Sequence, residues 1–230
     1  MKNNNLLIKY TIGIFLILIT LGSCAPTRFV KPLEKDQKAV AFNLGGPLIG
    51  FAGTTIPIPF TALTYGQGLN AKTTAFGSIH TTSLLYGNIQ SDIGVLREIK
   101  AYDTTNALIP GISMVLAGNF IYGTFEKKAK LWPQGDLNFY WDINKKRHFI
   151  YLGISNWFEF ATKKAHEQAQ TKNWFINPHF GISGQGKKWN SQLEMKYLAP
   201  GISNQNIVVD YASFGNTGAI GVYYSITRKF

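Results

Sequence analysis

The sequence predicts an all-β fold, an antiparallel transmembrane β-barrel of about ten strands. Apolar and polar residues alternate along much of the chain, which is typical of strands whose two faces meet different surroundings. Aromatic residues make up 14% of the chain and gather near the ends of these segments, as they do at membrane interfaces. Charged residues are only 15%, against about 25% in soluble domains, so the composition suits an outer wall that meets lipid.

The clearest strands lie in the second half of the chain, at 136–143, 148–160, 173–183, 189–198 and 218–230. Successive side chains of a strand point to opposite faces, so each segment can be divided into two sets. The apolar set of the last strand contains Ile220, Val222, Tyr224, Ile226 and Phe230, and the small or polar set contains Ala219, Gly221, Tyr223, Ser225 and Thr227. We expect the first set to face lipid and the second to face the barrel lumen.

Five further strands are predicted in the first half, near 37–45, 56–68, 73–85, 89–99 and 109–124. The glycine-rich stretch 43–59 is interpreted as an external loop or a bent strand pair, because Pro57 and Pro59 cannot donate to an uninterrupted ladder. The total is ten strands, although eight or twelve would also fit. An even number places both termini on the same side of the membrane.

The connections in the second half alternate in length. The segments 144–147 and 184–188 are short turns, whereas 161–172 and 199–217 are long and polar. Outer-membrane barrels have short periplasmic turns and longer external loops. The pattern therefore predicts that the C-terminus, and with it the N-terminus, is periplasmic.

The N-terminal residues predict a secretion signal. Lys2 and Lys9 precede an apolar run of eleven residues, which is too short to span a bilayer as a helix. The run leads to Leu21-Gly22-Ser23-Cys24, which resembles the bacterial lipobox. That resemblance implies cleavage of residues 1–23, acylation of Cys24 with fatty acids such as palmitate, a lipid-anchored periplasmic tether at 24–36 and a barrel domain at 37–230. The alternative is a buried thiol in an ordinary secreted protein.

The C-terminal segment VYYSITRKF, at 222–230, resembles the closing strand of bacterial outer-membrane barrels, which ends in an aromatic residue. Together with the lipobox, it makes the chain similar to the outer-membrane β-barrel lipoproteins of Gram-negative bacteria, a sparsely characterised group. The resemblance implies localisation in the outer membrane, outer-membrane lipids as neighbours and the barrel-assembly machinery as a partner during biogenesis. It leaves the oligomeric state open.

The chain is basic, with a formal charge of +11 that falls to +9 once Lys2 and Lys9 are removed with the signal. Basicity can indicate nucleic acid, but no nucleic-acid motif is present, and anionic lipid or lipopolysaccharide is the better counter-charge for a secreted lipoprotein. Three external lysines, Lys127, Lys128 and Lys130, and three more, Lys163, Lys164 and Lys172, fall in two predicted external loops. We expect these loops to contact lipopolysaccharide phosphates, the alternative being an ordinary solvated surface.

Two constellations could carry acid–base chemistry, and neither is convincing. His179, Ser183 and Glu194 are predicted to share the lumen face, as in some lipid A deacylases, but the His and Ser are about 13 Å apart along a strand. His80 and Thr82 have the two-residue spacing, with threonine in place of serine and no acid placed beside them. Four scattered histidines and one acylated cysteine predict neither a metal site nor a cofactor.

The sequence therefore predicts a non-enzymatic outer-membrane lipoprotein barrel with a structural, adhesive or small-solute role. A barrel of this size is filled by its own side chains or holds one small ligand, so we expect a filled lumen or a narrow polar path. Two alternatives remain open. One is an outer-leaflet lipid-modifying enzyme, and the other is a soluble lipid-tethered periplasmic β-protein that binds an apolar ligand.

Overall fold

The computed structural model describes residues 28–125, 127–143, 147–160, 172–205 and 209–230. The predicted signal peptide and Cys24 lie outside these residues, as do Lys163 and Lys164. Among the described residues, no helix is both long enough and apolar enough to cross a bilayer.

The described residues form a closed antiparallel β-barrel of ten strands, which confirms the predicted fold class. An eleventh short strand, β2, pairs only with the far end of β1. The strands are β1 (Lys38–Phe51), β2 (Thr54–Pro57), β3 (Phe60–Asn70), β4 (Thr73–His80), β5 (Asn88–Lys100), β6 (Gly111–Gly123), β7 (Lys128–Ile143), β8 (His148–Phe158), β9 (Trp174–Gln185), β10 (Trp189–Ser203) and β11 (Thr217–Lys229).

The barrel closes where the last strand pairs with the first. β11 and β1 are in register from Ala39↔Lys229 to Pro47↔Gly221, so the ring has no free edge between them. A closed ring satisfies its backbone donors and acceptors from strand to strand, which is the condition for a sheet to lie in hydrocarbon.

Several predicted strand boundaries were wrong. β1 and β10 extend to Phe51 and Ser203, six and five residues beyond their predicted ends. The segment 56–68 is split into β2 and β3, because Pro57 and Pro59 interrupt the ladder. β4 ends at His80 and gives way to the short helix α1 (Thr81–Leu85), where the Thr82 hydroxyl accepts a hydrogen bond from the Thr61 backbone N–H at 2.8 Å. β7 begins at Lys128, eight residues earlier than predicted, which leaves only 124–127 as the connection from β6.

The predicted division of the strand faces is confirmed. On β9, the outward side chains of Ile176, Phe180 and Ile182 are 40%, 58% and 45% exposed, whereas Asn177 and His179 are buried inside. The same alternation follows the other strands. Other large outward side chains include Phe42, Leu44, Leu63, Ile93, Leu116, Ile150, Leu152, Ile154, Leu193, Met195, Tyr224 and Ile226. The outside of the barrel is therefore apolar, and its interior is largely polar.

Aromatic rings lie on the outer wall close to the strand ends. Phe158 and Trp174 stack with ring centroids 6.0 Å apart. At the other end of the barrel, the Arg228 guanidinium lies 5.6 Å from the Trp189 ring centroid and 5.0 Å from that of Phe230. Such pairs match the interfacial girdles of membrane barrels, where an aromatic ring meets apolar surroundings and a cation reaches water.

The two ends of the barrel differ. The termini end carries the start of β1, the C-terminus and the connections 71–72, 101–110, 144–147 and 186–188, and the loop end carries 81–87, 124–127, 159–173 and 204–216. The ten-residue 101–110 connection breaks the expected rule of short turns at the termini end. It is ordered by an Asx turn, in which the Thr105 backbone N–H donates to Asp103 at 2.9 Å and lowers the pKa of that carboxyl.

Candidate functional site: the lumen and its N-terminal plug

A segment that precedes the first strand lies inside the barrel. We call this segment, Arg28–Leu33, the N-terminal plug. Val30 and Leu33 are buried. The Leu33 backbone N–H donates to the Thr74 hydroxyl at 2.8 Å, and the Ser113 hydroxyl donates to the Val30 carbonyl at 2.6 Å. Because Thr74 and Ser113 belong to β4 and β6, the plug runs across the lumen near the termini end.

The plug begins on the opposite side of the barrel, where the Gln192 side-chain amide of β10 donates to the Arg28 carbonyl at 3.4 Å. Residues 24–36 were predicted to be a periplasmic tether, and that domain boundary remains a prediction. The described part of the range is instead engaged with the interior wall, which the sequence did not lead us to expect. The interior therefore contains a segment of chain as well as wall side chains.

The wall makes room for the plug with two glycines on β3. A Cβ atom built on Gly66 would lie 2.6 Å from Cε2 of Phe29, and one on Gly68 would lie 1.9 Å from the Glu34 carbonyl oxygen. Both distances are shorter than real carbon contacts, so any larger residue would collide with the segment. Glycine at these positions gives the lumen a recess that matches the path of the chain.

Arg28 anchors the plug in the middle of the lumen. Its guanidinium lies 3.4 Å from the Asp92 carboxylate and 3.8 Å from the Asp136 carboxylate, and it donates to the Asn119 side-chain oxygen at 3.1 Å. The Arg28 and Asp92 side chains are 3% and 0% exposed. These partners belong to β5, β6 and β7, so one side chain of the plug joins three adjacent strands of the wall.

Lys31 makes the second ionic contact, nearer the termini end. Its ammonium lies 2.7 Å from the Asp142 carboxylate and 4.9 Å and 5.4 Å from the ring centroids of Tyr140 and Phe149. Those two rings also pack against Val30. The plug therefore combines a cation–carboxylate pair with apolar contact at the same place.

A second network lies between β8 and β10 and shares Gln192 with the plug. The Tyr151 hydroxyl donates to Glu194 at 2.8 Å and accepts from the Gln192 amide at 2.6 Å. The Lys196 ammonium lies 3.0 Å from Glu194 and 5.4 Å from the Tyr223 ring centroid. Lys196 thus neutralises Glu194 without help from the plug.

Charge is unevenly divided between the wall and the plug. Among the ion-paired carboxylates of the described wall, four have side chains less than a tenth exposed, namely Asp92, Asp136, Asp142 and Glu194. Arg28 and Lys31 of the plug face three of them, and Lys196 of the wall faces the fourth. The plug therefore supplies two of the three lysine or arginine charges that pair with these carboxylates.

The plug and buried side chains occupy the described lumen, and the choice between a filled lumen and a narrow polar path stays a prediction. Near the loop end, a cavity of about 10 Å³ lies among Asn43, His80 and Tyr223. That is room for about one water molecule. A shallow groove of about 300 Å³ lies outside the lumen at the termini-end rim, beside Arg147, His148 and Trp189.

The candidate catalytic set, which the sequence did not favour, is not assembled. His179, Ser183 and Glu194 all face the lumen, as expected, but each has another partner. His179 Nε2 is 2.8 Å from the Asn138 side-chain oxygen, and the Ser183 hydroxyl donates to the Ser191 carbonyl at 3.1 Å. Glu194 is held by Tyr151 and Lys196, and Gly181 stands opposite it in the register, between the other two residues.

His80 and Thr82 are not brought together as a pair, but the expectation that no acid lies near His80 was wrong. Asp92 on the neighbouring β5 lies 3.0 Å from His80 Nε2 and accepts from the Ser78 hydroxyl at 3.0 Å. The same carboxylate faces Arg28, so it belongs to the plug's ionic network. The Thr82 hydroxyl donates to the Pro59 carbonyl at 3.2 Å.

The predicted lipopolysaccharide contacts are partly described. Lys127, Lys128 and Lys130 are exposed at the loop end, although the last two lie in β7 and not in a loop as predicted. Their register puts both on the lumen-facing side, beyond the buried Trp132. Lys172 is also exposed and donates to the Gly201 carbonyl at 2.9 Å. Lys163, Lys164 and Cys24 lie outside the described residues.

The plug was not predicted from the sequence. A signal for it exists in the predicted faces, because Asp136 and Asp142 fall on the lumen side of a strand where no wall cation pairs with them. Buried carboxylates need partners. The segment just before β1 supplies Arg28 and Lys31, and this charge match is what could have identified it.

No family model and no curated protein matches the chain. Solved structures that it resembles are outer-membrane barrels. The translocator domain of the autotransporter NalP from Neisseria meningitidis is 8% identical with a TM-score of 0.42, over 99% of this chain and 98% of that one. An outer membrane channel from Pseudomonas putida F1 is 9% identical with a TM-score of 0.44, over 90% and 100%.

A third structure, the outer membrane protein OprG from Pseudomonas aeruginosa, is 10% identical with a TM-score of 0.30, over 88% of this chain and 99% of that one. At these identities and TM-scores the likenesses carry no argument about function. Function has to be inferred from the geometry of the chain itself.

Proposed function

We propose that this protein is a non-enzymatic lipoprotein barrel of the bacterial outer membrane, with a structural role and a lumen sealed by its own N-terminal plug. The observation that carries the proposal is the continuous apolar outer wall around a closed ring of strands. In water, such a wall would be an exposed apolar surface far larger than the patches that soluble proteins carry. In the hydrocarbon of a membrane, the same apolar wall is energetically favourable.

The opposite arrangement inside supports the membrane assignment over the soluble alternative. The described lumen contains Asn43, Asn119, Gln134, Asn177 and Glu194, all buried and all polar. A soluble β-protein that binds an apolar ligand would place its apolar face inward. Here the extensive apolar face is outward, and two apolar clusters inside the described barrel are packed against the plug.

The filled lumen favours a structural role over an open pore in this state. The proposal includes acylation of Cys24, periplasmic termini and folding by the barrel-assembly machinery, as the sequence predicts. It also includes contact of Lys127, Lys128, Lys130 and Lys172 at the loop end with lipopolysaccharide phosphates, which their exposure supports. No observation in the described lumen favours the lipid-modifying enzyme.

Outer-membrane fractionation, followed by gel electrophoresis with and without boiling, tests the proposal. We expect the protein in the outer-membrane fraction, with a faster unboiled band. The matched variant is Cys24→Ala, with the signal otherwise unchanged. A barrel that spans the membrane stays in the membrane fraction without its lipid, so release of this variant as a soluble folded protein would contradict the proposal.

A further inference from the structure

We propose that the N-terminal plug is a removable closure, and that the barrel without it conducts small cations across the membrane. This role rests on the proposed membrane location. It goes beyond that location because it gives the lumen an activity. The plug residues that matter are Arg28 and Lys31, and the wall residues are Asp92, Asp136 and Asp142.

Every hydrogen bond and ion pair described between the plug and the wall uses at least one side chain, either from the plug or from the wall. Within the described residues, Arg28–Leu33 makes no backbone–backbone hydrogen bond with the wall. Its hydrogen bonds use the side chains of wall residues such as Thr74, Ser113 and Gln192. The ring of strands closes independently through the pairing of β11 with β1. The plug can therefore leave the lumen without breaking any rung of the barrel ladder.

The plug occupies space that the wall does not fill by itself. Gly66 and Gly68 line its path, so its withdrawal leaves two wall positions there without side chains to fill the space. In the middle of the lumen, Asp92, Asn119 and Asp136 converge on the Arg28 guanidinium. Removing Arg28 takes away the group that fills the centre between these three strands, and water can replace it.

The charge of the lumen depends on the plug. Below the lysines of the loop end, removal of Arg28 and Lys31 leaves the ion-paired carboxylates Asp92, Asp136, Asp142 and Glu194 with the ammonium of Lys196 and, beside Asp92, the His80 ring. Carboxylates that line a narrow pore favour cations and repel anions. The open path is therefore expected to prefer cations, and its width in a ten-stranded barrel restricts it to small ones.

Planar lipid bilayers of phosphatidylcholine in KCl test the inference with three proteins. These are the wild type, a deletion of residues 28–35, and the full-length double variant Arg28→Gln/Lys31→Gln. A control, Lys35→Gln, removes an exposed cation that follows the plug. Each protein is first shown to be folded and membrane-inserted by the gel-mobility difference, so a failure of the membrane proposal is recognised separately.

We expect the wild type and Lys35→Gln to be silent and the deletion to conduct steadily. In a KCl gradient, its reversal potential should shift toward the potassium equilibrium potential. The double variant should open intermittently, because the plug keeps its apolar contacts and loses its ion pairs. Adding Asp92→Asn and Asp136→Asn to the deletion should remove most of the shift.

Four results would overturn the inference. One is a folded deletion variant that does not conduct, and another is conduction with no preference for potassium over chloride. The third is failure of both the deletion and the double variant to fold, which would make the plug an integral part of the barrel interior. The fourth is conduction by the wild type at the level of the deletion, since the plug would then close nothing.

Discussion

The Arg28 guanidinium lies 3.4 Å from the Asp92 carboxylate, inside a barrel wall that shields both side chains from water. Asp136 lies on the other side of the same guanidinium, at 3.8 Å. One cation from outside the sheet thus lies between two carboxylates that the sheet itself buries. We therefore expect the stability of the barrel to depend on a segment that contributes no strand.

Arg28→Met tests that dependence. It should destabilise the folded barrel by about 3–5 kcal/mol, because removing one partner of a buried ion pair leaves an uncompensated charge. Urea unfolding in lipid vesicles, followed by the gel-mobility difference, measures the change. Lys35→Met, at an exposed position, is the control and should unfold like the wild type. Adding Asp92→Asn and Asp136→Asn should recover part of the loss, and no recovery would contradict the ionic explanation.

Gly66→Val tests the fit between wall and plug. The new side chain would collide with the Phe29 ring, and such overpacking costs about 1–3 kcal/mol. Gly118→Val is the matched control, because a Cβ built on Gly118 meets no atom within 4 Å. The midpoint of urea unfolding gives the comparison. Phe29→Ala combined with Gly66→Val should regain stability, and equal effects at the two glycines would disprove the recess.

Phe180→Arg tests the lipid-facing wall. Phe180 is 58% exposed and lies midway along β9, so its replacement should cost about 2–4 kcal/mol if hydrocarbon surrounds it. The control, Leu108→Arg, changes a side chain that is 88% exposed in the 101–110 connection and should be nearly neutral. Equilibrium unfolding in lipid vesicles measures the change in the free energy of unfolding for each variant. If Phe180→Arg were also neutral, that part of the wall would be in water.

His179→Ala and Ser183→Ala test the non-enzymatic assignment. Because each side chain bonds to a different partner, we expect neither variant, nor deletion of the gene, to change the acyl pattern of lipid A. Mass spectrometry of lipid A measures this directly. An acyl chain that is retained in the deletion strain and removed when the wild-type gene is returned would establish the enzyme instead.

Much of the barrel could be predicted because the two faces of its strands meet opposite surroundings. Ile176, Phe180 and Ile182 alternate with Asn177, His179 and Ser183 as plainly in the sequence as in the structure. The ends of the strands were harder to predict from the sequence. Nothing in the alternation from Lys128 to Pro133 distinguishes strand from loop, so the start of β7 was misplaced.

The plug escaped prediction for a different reason. Arg28, Val30 and Leu33 are short-range neighbours with no ladder of their own, and their partners Asp92, Ser113 and Thr74 are distant in sequence. Only the closed ring brings those partners to face one another across a lumen. Periodicity reports which face a side chain takes, but it does not report what lies in the middle of a barrel.

The closing pair Ala39↔Lys229 has a consequence for the order of assembly. The pairing of β11 with β1 closes the ring, so the other nine strand pairings of the barrel can form in a sheet that is still open. That sheet already contains Thr74, Asp92, Ser113 and Asp136, which hold the plug from one side. The wall partners of the plug on β4 to β7 are therefore independent of the seam between β11 and β1.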